Sequence, residues 1–135
     1  MRSRPDGRRG AAAFVLACLS FASATAVAQH RVAEALLTSA TPTGPLPASA
    51  AEAALRTALH PIAVCVQAPF RVGSMELHAT LVVGAAGRVT SVTMQPATFP
   101  RDSMRRCVSR ALRSVRFPAL ASGASTVEAV FEINW

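Results

Sequence analysis

The sequence has no lysine and no tyrosine, a single tryptophan and three histidines, and sets seven acidic residues against fourteen basic ones, all arginine. With few aromatic residues and none interleaved with the arginines, the stacking platforms that a nucleic-acid surface combines with its cations are missing. His30, His60 and His78 fall in a tail, at a helix end and on the polar side of a strand, so they do not converge on a metal. No serine sits in a sharp glycine-flanked turn beside a base, which leaves nucleophilic hydrolysis without its parts. Glu128 and Glu132 share a strand face, but no pocket is indicated that would bury them for acid–base work. These gaps predict no enzyme, no metal and no cofactor.

Long apolar runs are also few, and the one that stands out is N-terminal. A basic stretch ends in Arg8-Arg9, an apolar run covers Ala11 to Ala22, and small residues at Ala26-Val27-Ala28 precede Gln29. That tripartite pattern predicts a signal peptide over residues 1–28, cleaved after Ala28, and a product exported to the periplasm or outer envelope. A retained membrane anchor is disfavoured because the strongly apolar stretch is too short to span a bilayer. A second export reading takes Val15-Leu16-Ala17-Cys18 as a loose lipoprotein box acylated at Cys18. Removing the leader takes away Arg2, Arg4, Arg8, Arg9 and Asp6, so the formal charge of +7 falls to 10 minus 6, or +4.

Of three cysteines, the two beyond the leader are Cys65 and Cys107. An even pair in an oxidising compartment predicts a disulfide, with two buried free thiols as the alternative. Their spacing fits neither a CxxC redox pair nor a zinc site.

The remaining chain has room for one core. Residues 29–48 read as a flexible linker, since Ala40 to Ala48 carries three prolines and no apolar period. Residues 49–135 read as one α+β domain. Ala51, Ala54, Leu55, Ala58 and Leu59 recur at helical spacing, with Ser49 as N-cap and Glu52 completing a capping box. His60-Pro61 predicts a kink or a brief restart. Residues 75–83 alternate as a half-buried strand, Gly84 to Gly87 form a hairpin turn, and the second strand slips phase at Thr90-Ser91 as a bulge would cause. Asp102 is placed to cap a helix whose apolar face holds Met104, Cys107, Val108, Ala111, Leu112 and Val115, and Phe117-Pro118 to stop it. Val127, Ala129, Phe131, Ile133 and Trp135 alternate in a closing strand. The predicted architecture is a small three-stranded antiparallel sheet with helices on one face, in the order helix, strand, strand, helix, strand, and with its other face wet and polar.

Residues 61–135 resemble the TonB-like C-terminal domains, closest to the AgmX/PglI C-terminal type of myxobacteria. The matching residues are Cys65, Gly73, Gly87-Arg88-Val89-Thr90-Ser91-Val92, Cys107-Val108, Arg116-Phe117-Pro118 and Val130-Phe131-Glu132-Ile133. The resemblance implies a non-enzymatic, envelope-facing bacterial domain, of which TonB itself grips a partner segment by adding it to a sheet edge. Energy transduction is not carried over, because the proline-rich stretch is too short to cross a periplasm, and the motility association is not transferred on fold analogy.

The expected function is therefore a protein-interaction module of the cell envelope that takes up an extended segment at a sheet edge. The edge is expected at the terminal strand, at Val127, Ala129, Val130, Phe131 and Ile133, or at the strand beside it. The second candidate surface is the basic helix face of Arg105, Arg106, Arg110 and Arg113, suited to anionic lipid headgroups, lipopolysaccharide or an acidic partner segment, and in a lipid-tethered structural protein to a peripheral contact with an anionic membrane surface. Homodimerisation through the edge is a third reading; nucleic acid is not expected.

Overall fold

The computed structural model describes residues 33–66, 73–96 and 98–135. The expected leader with its cleavage site and Cys18 lie outside the described residues, and no helix among the described residues is long and apolar enough to cross a membrane. The described elements run β1 (Glu34–Thr43), α1 (Ala48–Arg56), α2 (Leu59–Cys65), β2 (Ser74–Val83), β3 (Val89–Gln95), α3 (Asp102–Arg113) and β4 (Ser125–Asn134). All four strands form one antiparallel sheet in the order β1-β4-β2-β3.

The α+β class and the helix–strand–strand–helix–strand order from α1 onward agree with the expectation, but the sheet has four strands and not three. The added strand is β1, inside the stretch expected to be a flexible linker. Its pairing with β4 shifts register between Leu37 and Ser39, leaving Thr38 as the extra residue of a bulge. Ala35 and Leu37 face the core before the bulge, and Ala40 and Pro42 do so after it, opposite Ala129 and Val127. The inward phase thus changes from odd to even midway, which erases the alternation a strand would show. Pro42 lacks an N–H to donate, and an edge strand is where a sheet tolerates that.

Directly opposed residues share a sheet face, so the ladders define the core. Leu77 lies opposite Phe131, Ala79 opposite Ala129, and Leu81 opposite Val127, all of them buried. The helices cover this face: α1 and α2 pack towards β1, and α3 packs on α2 and towards β3. Ala51, Ala54 and Leu55 of α1, Ile62 and Ala63 of α2, and Met104, Val108 and Leu112 of α3 enter the core at their three- and four-residue spacing. A disulfide joins Cys65, at the end of α2, to Cys107 in α3, with 5.6 Å between the Cα atoms. Helix α1 stops at Arg56 and α2 restarts at Leu59, as the His60-Pro61 pair predicts.

Neither expected N-cap forms. Helix α1 begins one residue before Ser49, behind Pro47, and Glu52 accepts from Arg56 Nε at 3.2 Å instead of closing a capping box. Helix α3 follows Arg101, with Asp102 as its first helical residue, where a carboxylate still meets the positive end of the helix dipole. Ser125, buried at the start of β4, accepts a hydrogen bond from the Leu46 backbone N–H at 3.1 Å and so ties the entry to α1 onto the sheet.

The hairpin after β2 slips where expected: Val82 pairs with Ser91 and Val83 with Val89, so Thr90 is the bulged residue. Gly87 has φ +75°, and a Cβ there would stand 2.0 Å from the Phe117 carbonyl oxygen. Only glycine meets both demands, the left-handed backbone and the close approach. Phe117 N donates to the Gly87 carbonyl at 2.9 Å and Leu120 N to that of Ala85 at 2.8 Å, while Arg88 and Arg116 form a lone antiparallel bridge. The Gly87-Arg88-Val89 and Arg116-Phe117-Pro118 segments, distant in sequence, therefore meet and lock the hairpin to the end of α3.

Candidate functional site

Strand β4 lies between β1 and β2, so it is not an edge. Val127 is opposed by both Pro42 and Leu81, and Phe131 by both Leu37 and Leu77. Val127, Ala129, Phe131 and Ile133 are core residues, and Val130 lies half-buried on the opposite face. The expectation that these five residues form a binding edge is corrected on this ground: β1 occupies the side of β4 that the three-strand picture left open. The sheet's two outer strands are β1 and β3, and among the described residues no strand pairs with the outer side of either.

The two edges differ. Strand β1 carries Pro42 and the Thr38 bulge, two devices that blunt an edge against further pairing. Strand β3 has its one bulge at the start and runs regularly from Ser91 to Gln95 without proline. Successive strand residues turn their backbone groups to alternate sides, so this run offers outward N–H and C=O groups at two-residue spacing. Val92 and Met94 are half-buried on its helix side, and Thr93 and Gln95 are exposed on the other.

Helix α3 forms the opposite wall of a groove of about 760 Å³ beside β3. The sequence-predicted basic face stands here: Arg105, Arg106, Arg110 and Arg113 are exposed and all line the groove together with Val92 to Gln95. Among the described residues, no carboxylate lies within ion-pair distance of any of the four; Arg56 pairs with Glu52, and the His78 ring contacts Glu76. Edge and basic face, read from the sequence as separate surfaces, are adjacent.

The open sheet face has the opposite charge. Glu34, Glu76, Glu128 and Glu132 stand on it, and Glu76 lies directly across from Glu132, an arrangement of like charges that a sheet bears at a cost. His78 hydrogen-bonds Glu76 on its own strand, Nε2 to Oε1 at 2.6 Å, and not Glu128 or Glu132; its cross-strand neighbours are Val130 and Gln95. No group of three or more metal-ligating side chains occurs among the described residues. Trp135 is half-buried against the core, its ring over Gly73, whose N–H and C=O pair with the Trp135 backbone at 2.7 and 2.9 Å.

Sequence reasoning placed the edge at β4 because it missed β1. The signal that could have found β1 is the apolar group Ala33, Ala35 and Leu37 ahead of the prolines. The chain matches no protein-family model, no curated protein and no solved structure.

Proposed function

We propose that this protein is a non-enzymatic interaction module, exported to the cell envelope, that takes up an extended segment of a partner protein along the outer edge of β3. The observation that carries the reading is the regular, proline-free run Ser91 to Gln95, whose outer side has no pairing strand among the described residues. In strand addition, main-chain hydrogen bonds to such an edge supply affinity, and side chains at alternate positions supply selectivity. The order of elements from α1 onward and the meeting of the two glycine and phenylalanine–proline segments support the resemblance to TonB-like C-terminal domains. The leader-like N-terminus supports the envelope as the place of action.

Site-specific photo-crosslinking in intact cells tests the proposal. A photoreactive residue at Thr93, on β3, is expected to give a discrete adduct with an envelope protein whose crosslinked peptide is a single extended segment. The same residue at Thr41, on β1, is expected to give none. Adducts at Thr41 alone, or adducts at Thr93 scattered over a folded partner surface, would count against it.

A further inference from the structure

We propose that the segment received at β3 is acidic, with carboxylates at alternate positions that face the four arginines of α3. The inference rests on the strand-addition reading and adds the chemistry of the partner.

Three observations converge on it. First, the arginine wall has no internal purpose that its placement explains. Arg110 and Arg113 lie in the last turn, where cations favour the helix dipole, but Arg105 and Arg106 lie in the first half, where they gain nothing from it. Arg106 and Arg110 are four apart and Arg110 and Arg113 three apart, so like charges adjoin along one face and destabilise the isolated helix. Second, among the described residues no carboxylate lies within ion-pair distance of them: Asp102, one turn before Arg105 and Arg106 on the same helix, pairs with neither, and the other five exposed acids lie on other elements. Third, the wall runs alongside the free edge, lining the same groove as Val92 to Gln95.

Geometry then selects the partner. Arg106 and Arg110 are about 6 Å apart along the helix axis. Same-side residues of an extended strand repeat at about 6.8 Å. A strand added to β3 would turn every second side chain to the helix side, beside Val92 and Met94, where a glutamate could lay its methylenes on those apolar groups and its carboxylate on a guanidinium. The acids of the open face, Glu76, Glu128 and Glu132, would repel the same segment from lying across the sheet and so favour the groove.

The test uses the purified, disulfide-intact protein and three ten-residue peptides that alternate threonine with glutamate, glutamine or lysine. Fluorescence anisotropy measures affinity, and NMR follows the amides of Val92 to Gln95. The glutamate peptide is expected to bind at least tenfold more tightly than the glutamine peptide and to protect alternate β3 amides. Its affinity should fall at least tenfold in the double variant Arg106→Glu, Arg110→Glu, with Arg113→Glu as a second, independent variant should the double one not fold. The lysine peptide is expected not to bind. Equal binding of the glutamate and glutamine peptides, both protecting β3, would overturn the acidic preference and leave strand addition standing. Glutamate-peptide binding that spares the β3 amides would overturn strand addition itself. Arginine-dependent binding to phosphatidylglycerol vesicles with no binding of the glutamate peptide would assign the wall to a lipid surface. Self-association that buries the groove, seen by light scattering, with no peptide binding, would assign it to a second copy of the chain.

Discussion

Removing the bond between Cys65 and Cys107 should cost this domain a large share of its stability, and the size follows from the topology. The two residues are 42 apart, and the loop they close contains β2, β3 and the first half of α3. In the chain-entropy description, closing a loop of that length removes about 13 cal/mol/K from the unfolded ensemble, or about 4 kcal/mol at 25 °C. Against a typical stability of about 5–15 kcal/mol, that is a substantial fraction. Both cysteines are half-buried, so the variant Cys65→Ser, Cys107→Ser loses little packing and reports mainly the lost constraint. The expected outcome is a fall in the thermal midpoint of about 15–30 °C, at about 4–8 °C per kcal/mol for a domain of this size. In urea, the m-value should rise as well, because the uncrosslinked unfolded chain exposes more surface. The assay is urea unfolding followed by circular dichroism, on the variant and on oxidised and reduced wild type. A difference below about 1 kcal/mol between oxidised and reduced protein would refute the reasoning and place the stability in the core alone.

Three further substitutions test single contacts. Gly87→Ala forces a Cβ into the Phe117 carbonyl and a left-handed backbone onto alanine; a loss of about 2–4 kcal/mol is expected by denaturant titration, from the two effects together. Ser125→Ala leaves the buried Leu46 N–H without its acceptor and should cost about 1–3 kcal/mol, with the α1 amides exchanging faster. Gly73→Ala places a carbon 2.6 Å from the Trp135 ring, so the emission of the single tryptophan should shift to the red as the ring is displaced to solvent.

How much of this was legible depended on whether a local pattern was left undisturbed by its neighbours. The hairpin of β2 and β3, its Thr90 bulge and the apolar stripe of α3 were readable because each is periodic over its own length. The disulfide was readable by counting, once Cys18 was set aside with the expected leader. Strand β1 was not, since its bulge changes phase at Thr38 and its small side chains and prolines imitate a linker; its order comes from β4, which is distant in sequence. That single omission displaced the site, because a strand with one neighbour in the three-strand picture has two in the fold. The expected caps at Ser49 and Asp102 also failed: α1 starts behind Pro47 and α3 behind Arg101, and neither start carries a side-chain cap hydrogen bond. The arginines of α3 were legible as a basic face, but their position beside β3 is set by the packing of α3 on α2 and on the sheet.

The claim on which the functional account turns is that β3 is an acceptor edge. Its most direct measurement is residue-resolved amide hydrogen exchange on the complex captured through Thr93, compared with the free protein. The account predicts slowed exchange at alternate amides between Ser91 and Gln95, with β1 unchanged. Unaltered exchange along β3, or new protection confined to β1, would contradict it.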